Sequence, residues 1–89
     1  MNGGTLLSDI EITIYTTKVC PFCIRAKQLL DELAFPYREI AVDGNPGLRR
    51  EMAEKAGQTS VPQIWISGEH IGGCNELFDA YRAGYFEQL

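Results

Sequence analysis

Cys20 and Cys23 stand three positions apart in "TTKVCPFCIRAK", residues 16–27, a segment that also holds Lys18, Arg25 and Lys27 and no carboxylate. Two thiols at this spacing serve as half of a metal clamp, as a structural staple, or as a reagent for disulfide exchange. Exchange runs through the thiolate, and a free cysteine ionises near pKa ~8.5, so an ordinary thiol is mostly unreactive at neutral pH. The sequence around Cys20 is expected to lower that value. Its place is where a strand gives way to a helix, facing unsatisfied backbone N–H groups and the positive end of the helix dipole. Lys18, Arg25 and Lys27 add to the same field, with no acid between Glu11 and Asp31. Cysteines at the helix starts of Cys-X-X-Cys pairs ionise at roughly 3.5 to 7. Cys20 is therefore read as the attacking thiolate. Cys23, one turn further in, is expected to keep a more ordinary pKa and to resolve a mixed disulfide formed on Cys20.

The elements that position this pair are legible from periodicity. Ile10, Ile12 and Ile14 alternate with Glu11, Thr13 and Tyr15, the period-two pattern of a half-buried strand ending near Thr16. Pro21 suits the first position of a helix, and Ala26, Leu29, Leu30 and Leu33 follow at helical spacing until "AFP" stops it. Tyr37 to Val42 reads as a second strand, parallel to the first as a βαβ crossover requires. Asn45 caps a helix opened by Pro46, with Leu48, Met52 and Ala56 along one side and Gly57 at its end. "VPQIWISGEHIGG" predicts an antiparallel hairpin around Ser67-Gly68-Glu69, with Trp65 on the face opposite Ile64 and Ile66 and His70 exposed. A third helix follows, its buried side formed by Leu77, Phe78 and Tyr81 and its end at Gly84. The order is β-α-β-α-β-β-α around a four-stranded mixed sheet flanked by three helices, an α/β fold.

With 89 residues, 45% of them apolar, the chain suffices for one domain, residues 1–89, with residues 1–9 expected to be a flexible extension. "MNGGTLLSDI" lacks the features of a secretory signal and no run is long enough to span a membrane, which leads to the expectation of a cytoplasmic protein without a membrane partner. Twelve Asp and Glu against eight Lys and Arg give a net charge of -4, which opposes nucleic-acid binding. Three cysteines, an odd number, do not make a disulfide framework.

Other readings of the same residues compete. His70 and Cys74 in "HIGGC" complete a Cys₃His set with Cys20 and Cys23, so a zinc site is one alternative. A structural disulfide is disfavoured by its short loop and a reducing compartment. Pro62 either opens a strand as an ordinary trans residue or adopts the cis form, which would expose the Val61 backbone to an extended peptide-like ligand. "GGCN" either ends in a plain cap by Asn75 or offers helix N–H groups to a carboxylate. Cys74 is a small buried residue or a second site of oxidation.

Taken together, "YTTKVCPFC", "TSVPQIWI" and "HIGGCNEL" resemble the signature segments of the dithiol glutaredoxins, over nearly the whole chain from Glu11 to Tyr85. The resemblance implies a thioredoxin-like fold, a cis Pro62, and glutathione as the reductant for disulfide-bonded or glutathionylated proteins, with no metal and a monomeric chain. It implies Cys20 and Cys23 as the catalytic pair, supported by Tyr15 and Phe22. It places glutathione against Lys18 and Arg49 for one carboxylate, Ser60, Val61 and Pro62 for the backbone, and the helix start at Cys74 and Asn75 for the γ-glutamyl carboxylate. Phe22, Ser60 and Asn75 depart from the tyrosine, threonine and aspartate or serine that are frequent there. The monothiol branch, which carries iron-sulfur clusters, has CGFS in place of CPFC and is therefore disfavoured; an iron-sulfur cluster ([2Fe-2S]) shared between two chains through Cys20 and bound glutathione stands as the second metal-binding alternative. Thioredoxins usually carry Trp-Cys-Gly-Pro-Cys and lack "GGC".

Overall fold

The computed structural model describes residues 10–89; the extension expected over residues 1–9 lies outside them. In chain order the elements are β1 (Ile12–Thr16), α1 (Pro21–Glu32), β2 (Arg38–Ala41), α2 (Pro46–Ala56), β3 (Gln63–Ile66), β4 (Glu69–Gly72) and α3 (Cys74–Arg82), closed by a 3₁₀ turn at Tyr85–Gln88. The sheet order is β2-β1-β3-β4, with β1 parallel to β2 and antiparallel to β3, and β3 antiparallel to β4. This is the thioredoxin-like arrangement.

The alternation of side chains along β1 and β3 decides which helix covers which face. Ile12, Ile14, Ile64 and Ile66 point one way and bury against Ala26, Leu29 and Leu30 of α1 and Leu77 of α3. Tyr15 packs on the other face with Val42 and Met52, beside the half-buried Leu48 and Trp65, so α2 covers that side. β1 is therefore buried on both faces at its C-terminal end, where the pattern predicted one covered face.

Three local expectations are corrected. Helix α1 stops at Glu32, before the segment that contains Pro36: Ala34 takes a left-handed conformation at φ 62°, and its N–H and that of Phe35 bond back to Asp31 and Leu30. These two bonds form a Schellman motif, with Phe35 and Leu30 both buried in the same core cluster. Tyr81, expected on the buried side of α3, is 45% exposed. The helix ends at Arg82, and Gly84 at φ 84° turns the chain so that Phe86 enters the core against Phe35, ring centroids 5.3 Å apart. His70 is half-buried, its ring 4.6 Å from that of Trp65.

The topology gathers three segments at one end of the sheet. β1 ends there, β3 begins there beside it through the Tyr15–Gln63 pair, and β4 ends there through the Ile64–Gly72 pair. The loop into α1, the Ser60–Pro62 loop and the Gly72-Gly73 turn into α3 thus become neighbours.

Candidate active site

Cys20 is the N-cap of α1, with extended backbone (φ -150°, ψ 93°), and Pro21 occupies the first turn. The N–H of Cys23 donates to the Cys20 sulfur at 3.0 Å, so the helix directs one of its unsatisfied donors at that atom. Cys20 and Cys23 are joined in a disulfide, and Cys23 is buried at 1% exposure. Val19 and Phe22, which flank Cys20, are 91% and 54% exposed, so the sulfur pair sits in an apolar rim.

The Val61–Pro62 bond is cis, and the Val61 carbonyl oxygen lies 3.9 Å from the Cys20 sulfur. Ser60, Val61 and Pro62 form one wall of a groove of about 200 Å³, with Phe22, Cys74, Asn75 and Glu76 as the remainder. A larger depression of about 390 Å³ lies on the other side of the sheet between Tyr15, Arg38, Lys55 and Trp65. It contains no cysteine. Size favours the depression, but the chemistry favours the groove. The two glycines before α3 allow this closeness: a Cβ on Gly73 would meet the Pro62 carbonyl at 3.3 Å, and one on Gly72, at φ 119°, would meet Glu76 at 2.9 Å.

The charges around the dithiol differ from the local sequence pattern. Lys27 pairs with Glu39 at 3.0 Å, a carboxylate that β2 brings alongside, and Thr16 donates to the same oxygen at 2.7 Å. The Thr16 hydrogen bond, helped by Lys27, holds the Glu39 carboxyl below its ordinary range. Arg25 lies over the Phe78 ring at 5.3 Å. Lys18 has no carboxylate in salt-bridge distance among the described residues; its backbone N–H lies 3.4 Å from Asp43 Oδ2. Of the three bases near Cys20 in the sequence, Lys27 is thus paired with Glu39 and Arg25 lies over Phe78, while the start of α1 directs an N–H at the sulfur.

The family model for glutaredoxin matches residues 12–71. The chain belongs to the glutaredoxin family. It is 55% identical to a glutaredoxin of Pseudomonas aeruginosa over 78 residues, 88% of this chain and 93% of the relative. Among solved structures, a Brucella melitensis glutaredoxin is 39% identical with a TM-score of 0.78, covering 89% of this chain and 86% of its own. A buckwheat glutaredoxin–glutathione complex is 29% identical with a TM-score of 0.78, covering 89% and 74%. As a glutaredoxin with a paired Cys20 and Cys23, the chain is a thiol–disulfide oxidoreductase.

Of the residues singled out for this glutaredoxin, Phe22, Ser60, Val61, Pro62, Cys74 and Asn75 come together around the groove. Arg49 reaches from α2 to the Thr59 carbonyl at 3.1 Å, and Lys18 is exposed on the loop before Cys20. Tyr15 is buried away from the groove, its hydroxyl 3.5 Å from Lys55 Nζ. The Cys₃His set does not assemble: His70 Nε2 is 2.7 Å from Gln63 Oε1, Cys20 and Cys23 bond each other, and no three His, Cys, Asp or Glu converge among the described residues. Burial pushes the Cys74 thiol up; Glu76 adds to that, while Arg25 pulls it down. Among the described residues no helix is long and apolar enough to cross a membrane.

Sequence reasoning overlooked two groups. Glu76 lines the groove and accepts the Gly73 N–H at 2.8 Å. Gln63 is 1% exposed immediately behind Pro62. A polar residue between a proline and an isoleucine-rich strand was the available signal, since a buried amide must find partners.

Proposed function

We propose that the protein reduces glutathione mixed disulfides and protein disulfides at the expense of glutathione, with Cys20 as nucleophile and Cys23 as resolving thiol. The observation that carries this reading is the Cys23 N–H directed at the Cys20 sulfur at 3.0 Å, with the Val61 carbonyl of the groove wall 3.9 Å from the same sulfur. In the reduced protein the same N–H donates to the Cys20 thiolate and favours ionisation below the range of a free cysteine. That thiolate attacks the glutathionyl sulfur of a mixed disulfide, forming a Cys20–glutathione bond as the protein thiolate leaves and takes up a proton. A second glutathione thiolate attacks the bound glutathionyl sulfur, so oxidised glutathione departs and Cys20 is restored. With a protein disulfide, Cys20 captures one sulfur and Cys23 displaces it, giving the Cys20–Cys23 bond for two glutathiones to reduce.

Glutathione lies along the groove in this reading. Val61 supplies backbone groups beside Ser60 and Pro62, and the start of α3 at Cys74 and Asn75 supplies unsatisfied N–H groups for one carboxylate. Lys18 and Arg49 receive the other; Arg49 commits one nitrogen to Thr59 and keeps donors in reserve. Phe22 contributes an aromatic face. The buckwheat relative's complex with glutathione supports the choice of ligand. The same reading places the protein in the cytoplasm as a monomer acting on glutathionylated and disulfide-bonded proteins.

The two cysteines separate the modes. Cys20→Ser is predicted to abolish turnover of a glutathionylated peptide, while Cys23→Ser keeps that turnover and loses reduction of a protein disulfide. Activity that survives the loss of Cys20 would refute the assignment.

A further inference from the structure

The chain between Gly57 and Gln63 has no helix or strand, yet it carries the groove wall beside Cys20. Two side chains hold its carbonyls: Arg49 on Thr59, and Gln63 on Ser60. Gln63 is the buried one, and each end of its amide has a particular partner. Nε2 lies 3.1 Å from the Ser60 carbonyl oxygen and 3.4 Å from Ser60 Oγ. Oε1 lies 2.7 Å from His70 Nε2. An amide whose nitrogen donates to Ser60 presents only an acceptor to His70, so the imidazole carries its proton on Nε2. His70 is held in turn by its ring against Trp65, which meets the edge of Tyr15 at 5.4 Å. A continuous set of contacts thus runs from the body of the sheet to the loop whose next carbonyl, that of Val61, is 3.9 Å from the Cys20 sulfur.

We propose that Gln63 and His70 are positioning residues, the Gln63 amide, oriented by the His70 N–H, fixing the Ser60–Val61 backbone where it presents the glutathionyl half of a substrate to Cys20. This rests on the glutathione reading above and adds to it the element that sets the height of the binding wall. Neither side chain touches the cysteines through a hydrogen bond, so their removal loosens binding and leaves the sulfur chemistry intact. The signature is a rise in KM at constant kcat.

Three variants test it. Gln63→Leu removes both ends of the amide; Gln63→Glu keeps an acceptor for His70 and removes the donors to Ser60; His70→Phe keeps a ring against Trp65 and removes the N–H. With a glutathionylated peptide as substrate, KM is expected to rise about 5- to 30-fold in either Gln63 variant, the range for one or two lost hydrogen bonds, and about 3-fold in His70→Phe. Within about two-fold, kcat and the rate of Cys20 alkylation stay at the parent values. The double variant Gln63→Leu/His70→Phe matches Gln63→Leu alone, because His70 acts through Gln63. A folded His70→Phe or Gln63 variant with the parent KM overturns the proposal, as does a loss confined to kcat or a double variant whose effects multiply. His70→Phe, at the half-buried end, keeps the test open if the Gln63 variants do not fold. A parent protein with no glutathione-driven turnover removes the reading beneath the proposal, a different failure from a parent that turns over alongside unaffected variants.

Discussion

At the scale of single residues the candidate site has one backbone donor, the Cys23 N–H, aimed at the Cys20 sulfur, and one charge that opposes the proposed anionic ligand. Glu76 has its carboxylate in the first turn of α3, accepting the Gly73 N–H at 2.8 Å, at the helix start proposed to receive a carboxylate of glutathione. A negative side chain there competes with an anionic ligand for the positive end of the dipole. Gln at this position still accepts from Gly73 and removes the charge. Glu76→Gln is therefore predicted to lower KM for a glutathionylated peptide about two- to five-fold, the reach of a helix-end charge, and an unchanged or higher KM in steady-state assays would contradict this. The paired cysteines were legible because the chemistry proposed for them depends on local spacing, a helix start and a proline. Glu76 was in view but unweighed, since its importance lies in which groove it faces. Glu39 escaped because the sheet, not the chain, brings it to Lys27.

At the scale of elements, hydrophobic period and turn residues gave the strands, the helices and their order, while helix ends were less legible. The end of α1 shows why. Pro36 is a visible stop signal, but the chain leaves the helix earlier: Ala34 adopts φ 62°, the N–H groups of Ala34 and Phe35 bond back to Asp31 and Leu30, and Phe35 turns into the core. A non-glycine residue is costly in that region, and the sequence pattern of a Schellman turn without glycine is weak. Ala34→Gly removes the Cβ penalty at an exposed position and is predicted to stabilise the fold by about 0.5–1 kcal/mol, measured by urea unfolding; a loss of stability would show that the turn needs the side chain. Likewise Tyr81 falls at core spacing on α3, yet Gly84 turns the chain and Phe86 fills the interior. A helix pattern carries no information on which later aromatic takes that place.

At the scale of the whole molecule, β1, β2 and α1 are tied together at the dithiol end by Thr16, Lys27 and Glu39. The Glu39 carboxyl is held below its ordinary value of 4.5, so its contribution to stability is present above that pH and is lost as pH falls through the lower folded value. With side chains 27% and 38% exposed in the ion pair, solvent limits the gain to at most about 1 kcal/mol. The stability difference between the parent and Glu39→Gln is predicted to be constant above pH 4.5 and to shrink below it in denaturant titrations; a difference independent of pH would remove the electrostatic account. The same sheet end delivers the Ser60–Pro62 loop and the start of α3 to Cys20, which is why distant segments of the chain share one chemistry. The most direct test of that chemistry is the pH dependence of alkylation of the reduced protein, followed separately at Cys20 and Cys74. Cys20 is predicted to react with a midpoint well below the ~8.5 of a free cysteine, and Cys74, its thiol pushed up by burial, to lag behind. A Cys20 midpoint at or above that of a free cysteine would contradict the account.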